Sequence, residues 1–324
     1  MSKINEKLKL IIFPTEECNF RCKYCYEHFE IGKMREDVVK GIENLIKERS
    51  KGLKNLHIDW FGGEPLLAFD IIREIMEFAR KCSYESGFTL TSGMTTNASL
   101  FTRLRQEQLI SMGVTKYQVS FDGNVEMHDM YRVTRRETPT FNIIYRNLLA
   151  FHRSQLSGSV VLRFHVNKYN FESLRSLITK ISTDFRDDDR FSLFIRGLGK
   201  LGSAKDHLLP TVDNEEERND LIGLLQEYAQ SLGLKLYGLP SSEIPVCYAA
   251  SFSSYAIRAT GEVSKCTVAL YDKINIIGSI SEDGKLKIDK EKLAYWVRGQ
   301  FSGNRIELEC PYAQGRTENN IASL

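Results

Sequence analysis

Strand-patterned and helix-patterned stretches alternate through the first two-thirds of this 324-residue chain, and that alternation restricts the fold more than any other feature. Leu8–Pro14 is a short apolar run closed by proline, and Arg35–Ser50 carries Val38, Ile42, Leu45 and Ile46 at helical spacing. Leu56–Phe61 alternates and stops at Gly62-Gly63, before a helical stripe of Ile71, Ile75, Phe78 and Ala79 that Cys82 extends. The same unit repeats as strand 88–94 with helix 101–112, strand 116–121 with helix 139–153, and strand 160–166 with a helix around Leu174, Leu177, Ile178 and Ile181. Strand 191–196 comes last, followed by a glycine-marked connection and helix 213–232. Six strands joined through helices require right-handed parallel crossovers, so the fold class is α/β, as a barrel or an open sheet. From about residue 240 the pattern changes to short runs with turn signals at Ala259-Thr260-Gly261 and Glu282-Asp283-Gly284, which predicts a small β-rich appendage.

Composition narrows the function class. With 44 Lys+Arg against 42 Asp+Glu, the formal net charge of +2 argues against a protein that neutralises a nucleic-acid backbone. No apolar run approaches the ~20 residues that cross a bilayer, so no membrane partner is expected. The first residues read as a strand rather than a signal peptide, and a cytoplasmic location follows. The seven cysteines are uneven: three at 18–25, one at 82 and three from 247 on. An odd, clustered set without an export signal points to metal binding rather than disulfides, with Cys82 a core thiol.

Cys18, Cys22 and Cys25 lie in the loop after the first strand. Three closely spaced thiolates can each bind a different iron of a cubane and leave the fourth iron open. A structural zinc site would need a complete tetrahedral set, and a zinc or redox-labile thiol loop is the plainer alternative. Gly62-Gly63-Glu64-Pro65 ends the second strand, where side-chain-free backbone allows close approach of a ligand and an oxygen can accept from an ammonium; a turn before a helix is the alternative. Met94-Thr95-Thr96-Asn97, Val119-Ser120-Phe121-Asp122-Gly123 and His128-Asp129-Met130-Tyr131-Arg132 complete a series at strand C-termini, where barrel enzymes place their chemistry. Arg132, Arg135 and Arg136 equally suit a solvated basic face.

The three-cysteine spacing, with Tyr24 before the last thiol, resembles the signature of the radical S-adenosylmethionine (SAM) superfamily. The resemblance implies a partial (β/α)6 TIM-type barrel over residues 1–212, a linking helix over 213–240 and a twitch/SPASM-like domain over 241–324. It implies a [4Fe-4S] cluster on Cys18, Cys22 and Cys25 whose open iron is chelated by SAM. Tyr24, Gly62, Gly63, Glu64, Pro65, Asn97, Ser120 and Arg132 are the expected cofactor-binding residues, with Ser120 at the ribose and Arg132 at the SAM carboxylate. Electron transfer would cleave SAM to a 5′-deoxyadenosyl radical that abstracts a hydrogen atom from substrate.

The Ser120-to-Arg132 stretch resembles the peptide- and protein-modifying branch, which includes sulfatase maturases and maturases of ribosomal peptides. Cys247 and Cys266 bracket Gly261 as in twitch and SPASM appendages, and Cys310 follows, with Ala313 where relatives usually carry another cysteine. One auxiliary iron–sulfur cluster is therefore expected, with a bare or zinc-bound appendage as the alternative. Expected partners are a peptide or protein substrate and a flavodoxin- or ferredoxin-type electron donor; since only seventeen residues precede Cys18, any leader sequence would be recognised by the barrel, the appendage or a separate leader-binding protein. The runner-up activities are a small-molecule dehydrogenase or cyclase and a non-catalytic cluster- and SAM-binding partner. No side chain stands out as the proton acceptor.

Overall fold

In the computed structural model, residues 6–201, 206–238 and 246–312 are described. The chain forms two compact units, one of residues 1–17, 29–92 and 240–324 and the other of residues 18–28 and 93–239.

The first unit is built on strands β1 (Lys7–Ile12) and β2 (Asn55–Trp60), which pair in parallel. Helix α1 (Glu36–Ser50) joins them, burying Val38, Val39, Ile42, Leu45 and Ile46 along one stripe. Helix α2 (Phe69–Ser86) buries Ile71, Ile72, Ile75, Met76, Ala79 and Cys82 and stops at Gly87, which takes the left-handed conformation of a helix C-cap. Cys82 is thus the core thiol its helical position predicts.

The appendage is not a separate sheet. Strand β7 (Ser254–Ile257) pairs in parallel with β1, and β8 (Glu262–Ser264), β9 (Ile276–Ile280) and β10 (Leu286–Ile288) follow it antiparallel. The order within this unit is β10-β9-β8-β7-β1-β2. Helix α8 (Lys290–Val297), capped by Asp289 on two backbone N–H groups, buries Trp296 beside them. The short strands and turns expected after residue 240 are present, together with helices that the turn-rich pattern concealed.

Strand β3 (Thr89–Thr95) runs from the first unit into the second. There β4 (Val114–Phe121), β5 (Ser159–Val166) and β6 (Phe191–Gly197) pair in parallel. Helices α3 (Arg103–Ser111), α5 (Phe141–His152), α6 (Phe171–Phe185) and α7 (Glu215–Ser231) alternate with them; α3, α5 and α7 fall within two residues of their predicted spans, and α6 buries the predicted Leu174, Leu177, Ile178 and Ile181. Tyr117 packs on Phe151, and Phe185 stacks on Phe191, so one face of this sheet is sealed by α5 and α6. Helix α4 (Val125–Tyr131) falls between the predicted strand 116–121 and helix 139–153, where the sequence pattern marks no helix. It is two turns long, too short for periodicity to register, and is started by the Asn124 side chain accepting from the Met127 N–H. Among the described residues, no helix is long and apolar enough to cross a membrane.

Candidate functional site

Residues 18–28 are held as a third strand-like segment against the chain leaving α4. The Arg21 and Lys23 N–H groups donate to the Val133 and Tyr131 carbonyls, and the Arg135 N–H donates back to the Asn19 carbonyl. A turn closes from the Cys25 N–H to the Cys22 carbonyl. Phe20, 1% exposed, anchors the segment in the core between the first two cysteines. These backbone bonds fix the course of the loop without using any thiol.

The Cys18 sulfur accepts from the Phe20 N–H at 3.4 Å and lies 3.8 Å from Asn97 Nδ2. Asn97 is buried in a polar knot: its amide donates to Asn19 Oδ1, and its oxygen accepts from both the N–H and hydroxyl of Ser99. That geometry imposes a positive φ of 61° on Ala98, whose carbonyl, with that of Ser99, is clamped by the Asn147 amide. Holding a non-glycine residue in that conformation is costly and is typical of functional turns.

Cys22 lies in the field of Arg132. Burial pushes its thiol up, the Arg132 charge pulls it down and Asp122 pushes it up again. Cys25 is raised to about 12 by burial, then by Glu27 and Cys22. Thiols this reluctant to ionise alone need a strong Lewis acid to become ligands.

Arg132 is 8% exposed, whereas Arg135 and Arg136 are solvated, so the three arginines divide. The Arg132 Nη1 donates to the Tyr24 hydroxyl at 2.5 Å, and that hydroxyl donates to Asp122 Oδ2 at 2.7 Å. The other Asp122 oxygen meets His165 Nδ1 at 3.0 Å, and the Asn170 amide donates to the carbonyls of Asp122 and His165. Burial opposes ionisation of Asp122, but the His165 bond and the Arg132 charge hold its carboxyl at about 2. Burial drives His165 down to about 4, against Asp122, so the imidazole is neutral near pH 7. The Arg132 Nε is buried without a hydrogen-bond partner among the described residues.

The neighbouring His128-Asp129 pair is structural. Asp129 Oδ1 accepts from the N–H groups of Thr140 and Phe141 at the start of α5, and His128 Nε2 faces the Thr140 hydroxyl at 3.2 Å. Ser120, half-buried on β4, sits in register with Arg163 of β5.

Gly62-Gly63-Glu64-Pro65 lies in the first unit, and its glycines answer first to the chain itself. A Cβ on Gly62 would stand 2.3 Å from the Thr15 carbonyl oxygen, and one on Gly63 would stand 2.2 Å from that of Glu17. The Glu64 N–H also donates to the Glu17 carbonyl. The motif is thereby bolted to the residues that lead into Cys18. Glu64, fully buried, accepts from the Leu66 N–H and caps the short helical turn Pro65–Ala68. One residue before Glu17, Glu16 forms a buried two-pronged ion pair with Arg258 at 2.5 and 3.1 Å, and Arg258 also donates to the Leu270 carbonyl.

Cys247, Cys266 and Cys310 are brought near one another in the first unit. Cys310 raises the thiols of both Cys247 and Cys266, after burial and against nearby backbone N–H groups. The Val268 N–H points at the Cys266 sulfur at 3.4 Å, and the Cys247 N–H donates to the Leu308 carbonyl. The fully buried Asn275 shapes the Cys266 loop, accepting from the N–H groups of Lys265 and Cys266 and donating to the carbonyls of Cys266 and Ala269. Cys310 is exposed, and Ala313 lies outside the described residues.

None of the seven cysteines is in a disulfide. Among the described residues no three His, Cys, Asp or Glu side chains already stand in metal-holding geometry. The donor chemistry nevertheless fits an iron–sulfur group at the first loop: three thiols on one short, backbone-anchored segment. A buried guanidinium with an orphaned Nε fits a carboxylate-bearing ligand beside it. Sequence reasoning missed Asp122 and His165 as network members, and missed Glu16 and Arg258. The period-two pattern of Ser159–Val166, which puts Arg163 and His165 on one face, was the available signal for His165.

Residues 12–181 match the family described as the Radical SAM superfamily. The chain is 25% identical over 307 residues to a cysteine-type anaerobic sulfatase-maturating enzyme of Clostridium novyi, spanning 86% of this chain and 78% of that one. It is 24% identical over 298 residues to an uncharacterized protein of Methanocaldococcus jannaschii, spanning 87% and 92%. The fold matches anSMEcpe solved with AdoMet and the Cp18Cys peptide, with a TM-score of 0.64 at 18% identity over 89% of this chain and 79% of that one. It also matches Streptococcus suis SuiB bound to precursor peptide SuiA, with a TM-score of 0.62 at 15% identity over 89% and 65%.

Proposed function

The chain belongs to the radical SAM superfamily and is an enzyme; from that premise we propose that it abstracts a hydrogen atom from a side chain of a peptide or protein substrate. Cys18, Cys22 and Cys25 are the residues that would hold a [4Fe-4S] cluster. Gly62, Gly63, Glu64, Pro65, Asn97, Ser120, Arg132 and Tyr24 are the proposed SAM-binding residues. The cluster, when bound with SAM, supplies the electron that cleaves SAM and yields the 5′-deoxyadenosyl radical. The residues of the chain do the rest. Asn97 steadies the Cys18 sulfur, Arg132 offers its charge to a carboxylate, and Tyr24 with Asp122 fixes the angle at which Arg132 is presented.

The observation that carries this reading is the anchored loop of three thiols beside the buried Arg132–Tyr24–Asp122–His165 network. The peptide substrate is supported by the sulfatase-maturating relative and by the two peptide-bound structures of similar fold. Cys247, Cys266 and Cys310 are proposed to hold one auxiliary cluster, supported by their shared electrostatic field and the N–H groups aimed at their sulfurs. On this reading residues 1–212 carry the SAM chemistry, 213–240 link, and 241–324 form the auxiliary-cluster region. A flavodoxin- or ferredoxin-type donor would supply electrons, and the barrel, the appendage or a separate protein would recognise any leader sequence. Anaerobic incubation of the reconstituted enzyme with dithionite and SAM tests it: 5′-deoxyadenosine is expected. Its absence from a preparation with full iron would sink the enzymatic reading of these residues.

A further inference from the structure

The β4-β5-β6 sheet has one face sealed by α5 and α6 and another that is polar. By register, Ser120, Arg163 and Phe194 form one row of that second face, and His165 and Arg196 belong to the next, where Asp122 reaches His165. Arg163 is half-buried, and its Nε is shielded from water with no hydrogen-bond partner among the described residues. Neither Arg163 nor Arg196 has an ion pair among the described residues. The carboxylate on this face, Asp122, is already engaged by Tyr24 and His165. Burial and then the Arg196 charge lower Arg163 to about 10. Arg196 itself is exposed, so the half-buried Arg163 is the member that gains most from an anion placed between the two.

We propose that Arg163 and Arg196 form a carboxylate-binding site for the substrate, taking either an acidic side chain or a main-chain carboxylate. The inference rests on the proposed function for the identity of the occupant as substrate. SAM is the competing source of a carboxylate, and position separates the two. Arg132 donates to the hydroxyl of Tyr24, the residue before Cys25, whereas Arg163 lies on β5 opposite Ser120. Arg196 is displaced one further row along the strands. A forked, planar donor pair suits a carboxylate in particular.

The test is a binding measurement that needs no turnover. Cluster-reconstituted enzyme saturated with SAM is titrated calorimetrically with three probes. These are N-acetylglutamate α-amide (side-chain carboxylate), N-acetylglutamine (main-chain carboxylate) and neutral N-acetylglutaminamide. One of the two acids is expected to bind, identifying the carboxylate source, and the neutral probe is not. Arg196→Gln, at an exposed position that folding tolerates, is expected to weaken that acid about tenfold while leaving SAM affinity unchanged. Arg163→Gln should weaken it at least as much. Equal binding of the neutral probe, unchanged binding in Arg196→Gln, or no acid binding at millimolar concentration each overturns the site. Loss of SAM affinity in Arg196→Gln, with the acids excluded by SAM, assigns the pair to SAM and overturns the substrate assignment. A failure to form 5′-deoxyadenosine would count against the proposed function alone.

Discussion

The two cysteine trios of this molecule are built on opposite plans. Cys18, Cys22 and Cys25 lie within one short loop that borrows its shape from backbone bonds to residues 131–135 and its electrostatics from buried side chains. Cys247, Cys266 and Cys310 come from three separate segments and rely on local N–H groups and one buried amide, that of Asn275. The first trio therefore depends on the segment that leaves α4, and the second depends on its own loops. A site assembled from distant segments tolerates the loss of one ligand less locally but more globally, since each segment has other reasons to be where it is.

Substitution at the first trio should give the largest effect. Cys22→Ala is expected to abolish SAM cleavage and the spectroscopic signal of its cluster; a variant that still made 5′-deoxyadenosine would refute the assignment. Cys266→Ala should lower iron content while SAM cleavage continues uncoupled. Unchanged iron would mean that the second trio holds no cluster, and the comparison would collapse to one site.

Stability is the next contrast. Arg258→Ala strands a buried Glu16 carboxylate next to the segment entering Cys18, and should cost about 3–5 kcal/mol in denaturant unfolding. The Arg258→Met/Glu16→Leu double variant should recover most of that. A double variant as unstable as the single one would show that the bonds from Arg258 to the Leu270 carbonyl and to Glu262, rather than the Glu16 pair, are what matter.

Acid gives the smallest effect and the sharpest regional one. His128 is fully buried, and burial lowers it from 6.5 to about 3. The unfolded imidazole takes a proton as pH falls below 6.5 while the folded one does not, so its stabilising contribution is complete above 6.5 and drains away towards 3. Between pH 6.5 and 5 this amounts to about 2 kcal/mol. His165, lowered to about 4, has the same sign. No histidine follows residue 207. Hydrogen exchange at pH 5 should therefore show β5 losing protection relative to β9. Equal loss in both would place the acid sensitivity elsewhere.

The alternation of strands and helices made the sheet legible because each helix is long enough to show its buried stripe, as α1 and α2 do. Helix α4 escaped because two turns carry no period. The thiols, Gly62-Gly63 and Arg132 were legible because they occur as compact motifs. What those residues touch was not. Nothing in the order of residues says that the two glycines make room for Thr15 and Glu17, that Asp129 caps α5, or that Glu16 finds Arg258 some 240 positions away. Those are pairings across the fold, set by register and burial rather than by spacing. The joining of β7 to β1 was hidden for the same reason.

That joining has a consequence for how the protein is made. Strand β1 lies between β2 and β7, with parallel partners on both sides. At roughly 5–20 residues per second, a ribosome takes tens of seconds after completing β1 to deliver β7. Throughout that interval the strand leading into Cys18 has one open edge and Glu16 lacks its arginine. The strand that leads into Cys18 thus gains its second partner only once Ser254–Ile257 has been made.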